Sequence, residues 1–290
     1  MIEPVQAVPW NKPPRPFVKW AGGKGQLLER LERHFPKDFG TYYEPFLGGG
    51  AVFFHLVNNY PKFDAVLSDT NAELITTYQV IKEQVDDLIK LLKKHRANYR
   101  IAPEEYYYSV RAAEPKIDVE KAARLIFLNK TCFNGLYRVN SKGKFNVPCG
   151  WFLDPSIFDE ANLRSVSTVL RWSHAQLLNA NFVEATKNAK KGDFVYFDPP
   201  YLPKSPTASF TCYTAGGFSI ADQKQLASWS IELSERGCRV LLSNSDTPEI
   251  YEIYKNHIVE LVQVLRAINC KGDQRKGHTE LIIRSPNSPI

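Results

Sequence analysis

The residues best suited to chemistry stand side by side as Asp198, Pro199, Pro200 and Tyr201. The stretch before them, 194–197, is apolar and aromatic, which is typical of a short buried strand. Proline donates no backbone N–H and fixes its own φ, so the strand must end at the carboxylate. Because aspartate and proline are also common turn residues, a plain turn that ends a strand is the less favoured alternative for the tetrapeptide alone.

A stiff carboxylate beside an aromatic ring suits a planar group that carries an NH2, such as a nucleobase. The Asp198 side chain and the Pro199 carbonyl offer two acceptors to one amino group, and Tyr201 offers a flat π-surface. Ligands bind at the carboxyl ends of strands in open α/β sheets. We therefore predict that residues 198–201 are the catalytic motif.

A second candidate site is a glycine-rich turn between a β-prone segment and a helical pattern, which contains Phe46, Gly48 and Gly50. Strand, glycine turn and helix are typical of nucleotide-type ligand sites. Asp69 ends the next predicted strand about twenty residues later, the spacing at which an acidic group reaches ribose hydroxyls. The glycines do not form GxGxxG, so a dinucleotide is not favoured. Asp69 could also be an N-cap for a helix that starts near Asn71.

A third candidate site joins Trp20 and Lys24 to a glycine pair that precedes an amphipathic helix pattern. Such a turn presents bare N–H groups to a ligand. A phosphate-binding P-loop would need Ser or Thr after the lysine, but Gly25 stands there. A simple helix-capping turn is one alternative, and the neighbouring Trp20 and Lys24 favour a site that stacks and pairs with a small charged ligand.

Residues 129–151 combine turn signals, positive charge, aromatic rings and amides. The members are Lys130, Arg138, Lys142 and Lys144, then Phe133, Tyr137, Phe145 and Trp151, then Asn134, Asn140 and Asn146. A loop or hairpin of this kind matches phosphate contacts and base readout, although an ordinary solvated loop can have the same composition.

The elements that position these groups alternate between strands and helices, which predicts an α/β fold. A Pro-rich leader, 1–16, is expected to be flexible or extended. The core is discontinuous, 17–70 and 171–285, and a mainly α-helical insert, 71–170, interrupts it.

Local patterns within these segments give further expectations. We predict continuous helices over 72–96 and 163–178 and a strand that begins at Phe182. The Ser/Thr/Pro-rich segment 203–217 is expected to be a lid or substrate-facing loop. The basic, glycine-rich link 271–278 is expected to touch a phosphate backbone.

Composition narrows the class of protein. The chain has 290 residues, 43% of them hydrophobic, and a net charge of +6 with a pI near 8.9, which is compatible with a polyanionic partner. Five scattered cysteines without CxxC favour reduced thiols in a cytoplasmic protein, and we expect no metal site. We expect no contact with a membrane, because no apolar run reaches about 18 residues.

Taken together, these motifs resemble the Dam-like, DpnII-type family of DNA adenine-N6 methyltransferases, the D12 class, alpha group. The resemblance spans residues 17–284, nearly the whole chain. It rests on matching segments at 19–24, 44–50, 69, 133–138, 145–148 and 198–201.

The resemblance implies a Rossmann-like methyltransferase core that binds S-adenosyl-L-methionine, with a target-recognition insert. The positions that match cofactor contacts are Trp20, Lys24, Phe46, Gly48, Gly50, Asp69 and Asp198. The positions that match DNA contacts are Lys19, Asn134, Leu136, Arg138 and Asn146, with Arg138 placed on a guanine. The family commonly methylates adenine in GATC of double-stranded DNA. One departure is Trp151, where related proteins usually carry Arg, so a phosphate contact is lost or replaced by stacking.

Other readings remain open at this stage. A similar motif would suit N4 of cytosine, N2 of guanine in RNA, or a glutamine amide. A DNA-binding module with a vestigial cofactor fold is a rival from another class, and an NTPase is the weakest. We expect a monomer associated with the nucleoid, and the sequence leaves open whether a cognate restriction endonuclease acts on the same site.

Overall fold

The computed structural model describes residues 9–20, 22–152, 154–201, 218–264 and 278–286. In this part of the chain, seven strands form one sheet in the order β3-β2-β1-β4-β5-β7-β6. The strands are β1 (Thr41–Glu44), β2 (Asp64–Ser68), β3 (Gln176–Leu178), β4 (Phe194–Phe197), β5 (Arg239–Ser245), β6 (Ile258–Val264) and β7 (His278–Arg284). Strands β1 to β5 pair in parallel, and β7 is antiparallel to both of its neighbours.

Helices lie between the strands along the chain. They are α1 (Leu28–Leu31), α2 (Ala51–Asn59), α3 (Ala72–Glu83), α4 (Val85–Ile101), α5 (Pro103–Ala112), α6 (Asp118–Thr131), α7 (Glu160–Trp172), α8 (Phe182–Thr186), α9 (Ile220–Glu235) and α10 (Pro248–Ile253). Four consecutive helices, α3 to α6, follow β2, so the α-rich pattern within 71–170 is realised as helices.

Side chains alternate along each buried strand, so apolar residues project from both faces of the sheet, and both faces are covered. In β4, Phe194 and Tyr196 join the hydrophobic cluster formed with α2, α3, α6 and α7, whereas Val195 and Phe197 join the cluster formed with α8, α9 and α10. This doubly wound, Rossmann-like arrangement reverses its strand order between β1 and β4. Ligands bind at such a switch point, beyond the carboxyl ends of the strands.

Three local predictions were wrong. The helix over 72–96 is broken at Gln84, whose φ of −134° and ψ of 36° leave the helical region. The helix over 163–178 ends at Trp172, because His174 adopts a left-handed φ of 45° and β3 follows. The strand that begins at Phe182 is instead α8, because the Asn181 side chain accepts a hydrogen bond from the Glu184 N–H and caps a helix.

Residues 9–16, predicted as part of a flexible leader, are held against the domain. Trp10 is buried edge-on against Trp172, with 5.3 Å between ring centroids. The Arg15 N–H donates to Asn162 Oδ1 at 3.0 Å, and Asn162 Nδ2 donates back to the Arg15 carbonyl at 3.0 Å. Burial of the apolar Trp10 ring therefore favours an ordered segment, although its composition is proline-rich.

The predicted lid, 203–217, lies outside the described residues, as do residues 1–8 of the leader and 271–277 of the basic link. Across the described ranges, no helix is both long and apolar enough to cross a membrane. The same residues contain no group of three or more His, Cys, Asp or Glu side chains that could hold a metal ion.

Candidate active site

The Asp198 carboxylate follows β4 directly, at the switch point of the sheet. Its Oδ1 accepts a hydrogen bond from Ser243 Oγ at 2.8 Å and lies 2.9 Å from Lys24 Nζ. Burial raises the pKa of Asp198, while Lys24 and the Ser243 hydrogen bond oppose that shift. Both of these contacts are made by Oδ1, and a carboxylate has two oxygens with further acceptor sites for a ligand.

Tyr201 is brought next to the carboxylate, as the motif predicted. The Lys24 ammonium lies 4.9 Å from the centroid of the Tyr201 ring and donates to the Gly22 carbonyl at 2.7 Å. The Tyr201 hydroxyl donates to Glu280 Oε2 at 2.7 Å. Lys24 is only 4% exposed, so its ammonium is committed to this site rather than to solvent.

The two prolines end β4 and turn the chain. Pro199 is buried and Pro200 is exposed. The Pro200 carbonyl accepts from Gln223 Nε2 of α9 at 3.4 Å, and the Gln223 Oε1 accepts from Asn244 Nδ2 at 3.0 Å. Side chains from α9 and β5 thus support the backbone of the motif from behind.

The glycine turn after β1 has the backbone that its sequence predicted. Gly48 and Gly50 have φ values of 47° and 70°, in the left-handed region that favours glycine. A Cβ at Gly48 would lie 2.7 Å from Trp20 Cδ1, so the indole closes directly on the turn. Trp20 and the two glycines therefore line the same site.

Asp69 ties this turn to the end of β2. Its Oδ2 accepts from the Gly48 N–H at 3.0 Å, and its Oδ1 accepts from the Asn71 N–H at 2.9 Å. The N-cap of α3 is Asn71, whose side chain accepts from the Leu74 N–H, so the capping alternative for Asp69 was wrong. Burial raises the pKa of Asp69. A carboxylate with two donors keeps further acceptor sites for a ligand hydroxyl.

Phe46 lies on the other face of the sheet from Trp20, just beyond β1. Its ring stacks on Phe182 at 5.8 Å and meets Phe218 edge-on at 5.5 Å. This aromatic cluster forms an apolar wall beside the switch point.

Glu44, at the end of β1, is a buried carboxyl that the sequence patterns did not single out as a separate site residue. It accepts from the Tyr42 hydroxyl at 2.9 Å and from the Phe53 N–H at 3.1 Å. Phe53 is the third residue of α2, and the cap position is Gly50, which has no side chain. Glu44 therefore supplies the cap of the helix that follows the glycine turn.

We expect the Glu44 carboxyl to lower the free energy of unfolding as the pH rises from 5 to 8, and Glu44→Gln to remove that contribution. Burial raises the pKa of Glu44 from 4.5 to about 8. A carboxyl with a raised folded-state pKa favours the fold below its unfolded pKa, and this advantage is lost as the pH rises through the folded pKa. Urea unfolding at pH 5 and pH 8 measures this contribution as a loss of unfolding free energy in wild type relative to the Gln variant, on the order of a few kcal/mol. The buried His95 and His257, whose pKa values burial lowers to about 4, titrate in both proteins and cancel in the comparison.

The Gln variant keeps an oxygen acceptor but does not titrate, so its free energy of unfolding should rise relative to that of wild type between pH 5 and pH 8. An unchanged pH dependence in Glu44→Gln would assign the effect to another group.

Four of the five predicted DNA-reading residues, all except Lys19, lie on a hairpin-like segment, 132–150. Antiparallel bridges join Cys132 to Cys149 and Val139 to Phe145. Two of the predicted residues pair with each other across it, because Arg138 Nε donates to Asn146 Oδ1 at 2.7 Å. This hydrogen bond orients the guanidinium and leaves most of its five donors for other partners.

Lys19 connects the hairpin to the chain before the glycine pair. Its N–H and carbonyl form a reciprocal pair with the Asn129 side chain, both at 2.7 Å, and its Nζ lies 5.5 Å from the centroid of the Phe152 ring. A Cβ at Gly135 would lie 2.4 Å from Lys19 Cδ, so only glycine fits there. Asn134 has a left-handed φ of 56°, which turns the chain before Leu136, itself partly buried against the core.

The two halves of the site meet where Trp20 stacks on Tyr137, with ring centroids 5.1 Å apart and an interplanar angle of 30°. At the outer side of the hairpin, Trp151 is 84% exposed. This contact joins the segment with the predicted DNA residues to the glycine turn, whereas Phe46 lies on the other face of the sheet.

Comparison with known proteins gives a family match over most of the chain. Residues 20–268 match the family described as D12 class N6 adenine-specific DNA methyltransferase. The Type II methyltransferase M.MjaIII of Methanocaldococcus jannaschii is 43% identical over 285 residues, which cover 93% of this chain and 98% of that protein.

Two further relatives have similar coverage. The Type II methyltransferase M1.LlaDCHI of Lactococcus lactis subsp. cremoris is 41% identical over 275 residues, 93% of this chain and 94% of that protein. The DNA adenine methylase of Escherichia coli K12 is 35% identical over 274 residues, 92% of this chain and 94% of that protein. The predicted family is confirmed: the chain belongs to the D12 class of N6 adenine-specific DNA methyltransferases.

Proposed function

We propose that this chain transfers a methyl group from S-adenosyl-L-methionine to N6 of adenine in duplex DNA, within GATC, by base flipping and direct in-line transfer. The observation that carries the proposal is the Asp198 carboxylate at the switch point, held through Oδ1 by Ser243 and Lys24, with the Tyr201 ring against the same lysine. Membership of the family supports adenine as the base.

The residues around the glycine turn suit the cofactor. A nucleoside with ribose hydroxyls and a charged amino acid tail needs close backbone approach, an acidic acceptor and an apolar wall. Gly48 and Gly50 offer the backbone, Asp69 offers acceptor sites, and Trp20 and Phe46 offer aromatic surface. Lys24 and Asp198 supply opposite charges for the tail. When bound, the cofactor supplies an electrophilic methyl group on a sulfonium.

Asp198 and Pro199 act on the nucleophile. The lone pair of adenine N6 is delocalised into the ring, so N6 is a poor nucleophile in the free base. Hydrogen bonds from N6–H to Asp198 Oδ2 and to the Pro199 carbonyl localise the lone pair and aim it. These acceptors also stabilise the positive charge that develops on N6. The remaining contribution of the site is alignment.

Base flipping is needed because N6 cannot be reached inside a duplex, and it costs a few kcal/mol. Stacking of the extruded adenine on Tyr201 offsets part of that cost, since an aromatic contact of this kind is worth about 1–3 kcal/mol.

The hairpin 132–150 is proposed as the part that reads the site. The DNA contacts carried over from the family are Lys19, Asn134, Leu136, Arg138 and Asn146. Three basic side chains, Lys19, Arg15 and Lys130, lie near one another beside this segment. Burial and the two neighbouring cations lower the pKa of Lys130 to about 8. A gathering of like charges suits the phosphate backbone, where counterion release favours binding.

The proposal also assigns the domains of the chain and the partners of the protein. Residues 17–70 and 171–285 form the catalytic core, and 71–170 form the target-recognition insert. Two relatives are Type II methyltransferases by name, which supports pairing with a restriction endonuclease at the same site. We propose a monomer that acts on DNA in the cytoplasm, associated with the nucleoid.

The function is tested by expressing the chain in a host that lacks adenine methylation and sequencing the modified bases of its DNA. We expect N6-methyladenine at GATC. Methylation at cytosine N4, or an unmodified genome from cells that contain the folded protein, would contradict the proposal.

Arg138→Ala is expected to relax discrimination at one guanine of the site. The Asn146 hydrogen bond aims the guanidinium, and a bidentate contact to guanine is worth about 1–3 kcal/mol of discrimination. Affinity should be measured on GATC duplexes and on duplexes with that guanine replaced.

Lys144→Ala is the matched control, because it removes the same charge from the same hairpin, where Lys144 is exposed and paired with Glu114. The affinity of the Lys144→Ala variant should change by the same factor for the GATC duplex and for the duplex with the guanine replaced. If Arg138→Ala also weakens both duplexes equally, Arg138 is a phosphate contact.

A further inference from the structure

We propose that Glu280 is the positioning residue of the base-stacking ring: its carboxylate holds the Tyr201 hydroxyl and fixes the ring in the orientation that receives the flipped adenine. This inference rests on the proposed function and adds a residue from β7 to the site. Neither the motifs nor the family resemblance pointed to Glu280.

The topology explains how Glu280 reaches the site. Parallel strands β1 and β4 deliver their carboxyl ends to the catalytic edge, so an antiparallel strand brings its beginning to that edge. Strand β7 is antiparallel and starts at His278, and its register places Glu280 opposite Ser245, the last residue of β5. Glu280 is therefore beside the end of β5, next to the strand that carries the motif.

The alternation of side chains gives Glu280 the correct face. Ile282, two residues later on β7, belongs to the same hydrophobic cluster as Tyr196 of β4. Asp198 follows Tyr196 by two residues, so Glu280 and Asp198 project on the same side of the sheet. The insert helices α3 and α6 cover this side as well, so the carboxylate lies where a base that the hairpin delivers would arrive.

The contacts restrain the ring at two places. The hydroxyl on the rim of Tyr201 donates to Glu280 Oε2 at 2.7 Å, and the Lys24 ammonium lies 4.9 Å from the ring centroid. The Lys24 contact must be exchanged when a base stacks on that face, whereas a hydrogen bond at the rim leaves the face open. Glu280 can therefore hold the ring both before and after the base arrives, which reduces the entropy lost in binding it.

The alternative is that Glu280 acts only through its negative charge and does not orient the Tyr201 ring. Burial is the main cause of the raised pKa of Asp198 and of Tyr201, and the Glu280 charge raises both further. Glu280→Gln separates the two roles, because the amide oxygen still accepts from the Tyr201 hydroxyl but the charge is gone.

The experiment is a double-mutant cycle on the full chain, read as the single-turnover rate of methyl transfer and the Kd for duplex DNA. We expect Glu280→Ala to slow transfer about tenfold, as loss of a hydrogen bond to a charged group would do, with the Kd unchanged. Glu280→Gln should stay within about threefold of wild type. In a Tyr201→Phe background, which lacks the hydroxyl, Glu280→Ala should cost less than about twofold.

Glu260→Ala serves as the matched control, because Glu260 lies on the neighbouring strand β6 and pairs with His34, away from Tyr201. It should leave the rate unchanged. A full tenfold loss from Glu280→Ala in the Tyr201→Phe background, or a Gln variant as slow as the Ala variant, would overturn the positioning role. Absence of transfer by wild type itself would instead refute the proposed function.

Discussion

Asp198→Ala is expected to abolish methyl transfer, with a rate at least about a thousandfold below wild type, while the protein stays folded. The substitution removes the acceptor that aims N6, and the other carboxylate of the site, Glu280, is bound to the Tyr201 hydroxyl. Folding should persist, because burial already disfavours the charged carboxylate and Lys24 retains the Gly22 carbonyl as an acceptor. Transfer of a labelled methyl group to duplex DNA measures the effect.

Asp198→Asn is the informative companion of this variant. The amide keeps the size of the side chain and one oxygen, so it tests whether the charge is needed beyond shape. A circular dichroism spectrum and a thermal melt establish that both variants are folded. Full activity in a folded Asp198→Ala protein would remove the carboxylate from the mechanism.

Asp69→Ala is expected to weaken S-adenosyl-L-methionine binding at least about a hundredfold. The change removes acceptors for the Gly48 and Asn71 N–H groups and for the ribose, and each lost hydrogen bond to a charged group costs about 1.5–3 kcal/mol. The glycine turn also loses its tie to the end of β2. Calorimetric titration of the protein with the cofactor gives the affinity directly.

Asp64→Ala is the control for Asp69, because Asp64 is an exposed aspartate at the opposite end of the same strand, paired with His174. Its cofactor affinity should equal that of wild type. Equal affinities in the Asp69 and Asp64 variants would place the cofactor away from the carboxyl end of β2.

Much of the site was predictable because its parts are local in sequence. The prolines end β4 at Asp198 because they fix φ and donate no N–H. The glycine turn is recognisable from residues that tolerate a positive φ, such as Gly50. The strand 194–197 is buried on both faces, so its apolar run was readable without knowing its neighbours.

The failures arose where tertiary or capping interactions override local patterns. The run at Phe182 favours a strand by composition, but the Asn181 cap and burial of the Phe182 ring make it a helix. Trp10 lies among prolines, yet its ring is buried against Trp172.

The residues that sequence reasoning missed reach the site through the topology of the sheet. Ser243 and Glu280 come from β5 and β7, and each touches the catalytic motif although it lies 45 and 79 residues away along the chain. The available signal for Glu280 was weak: it is the one acid of β7 and directly precedes the apolar run 281–283.

The central claim is that Asp198 holds N6 of an extruded adenine, and a crystal structure with a duplex GATC oligonucleotide and a non-reactive cofactor analogue tests it most directly. We predict that N6 lies within hydrogen-bond distance, about 2.7–3.2 Å, of Asp198 Oδ2 and of the Pro199 carbonyl, with the base on Tyr201. An adenine still stacked in the duplex of such a complex, or an Asp198 side chain turned into the core away from the analogue, would contradict the mechanism.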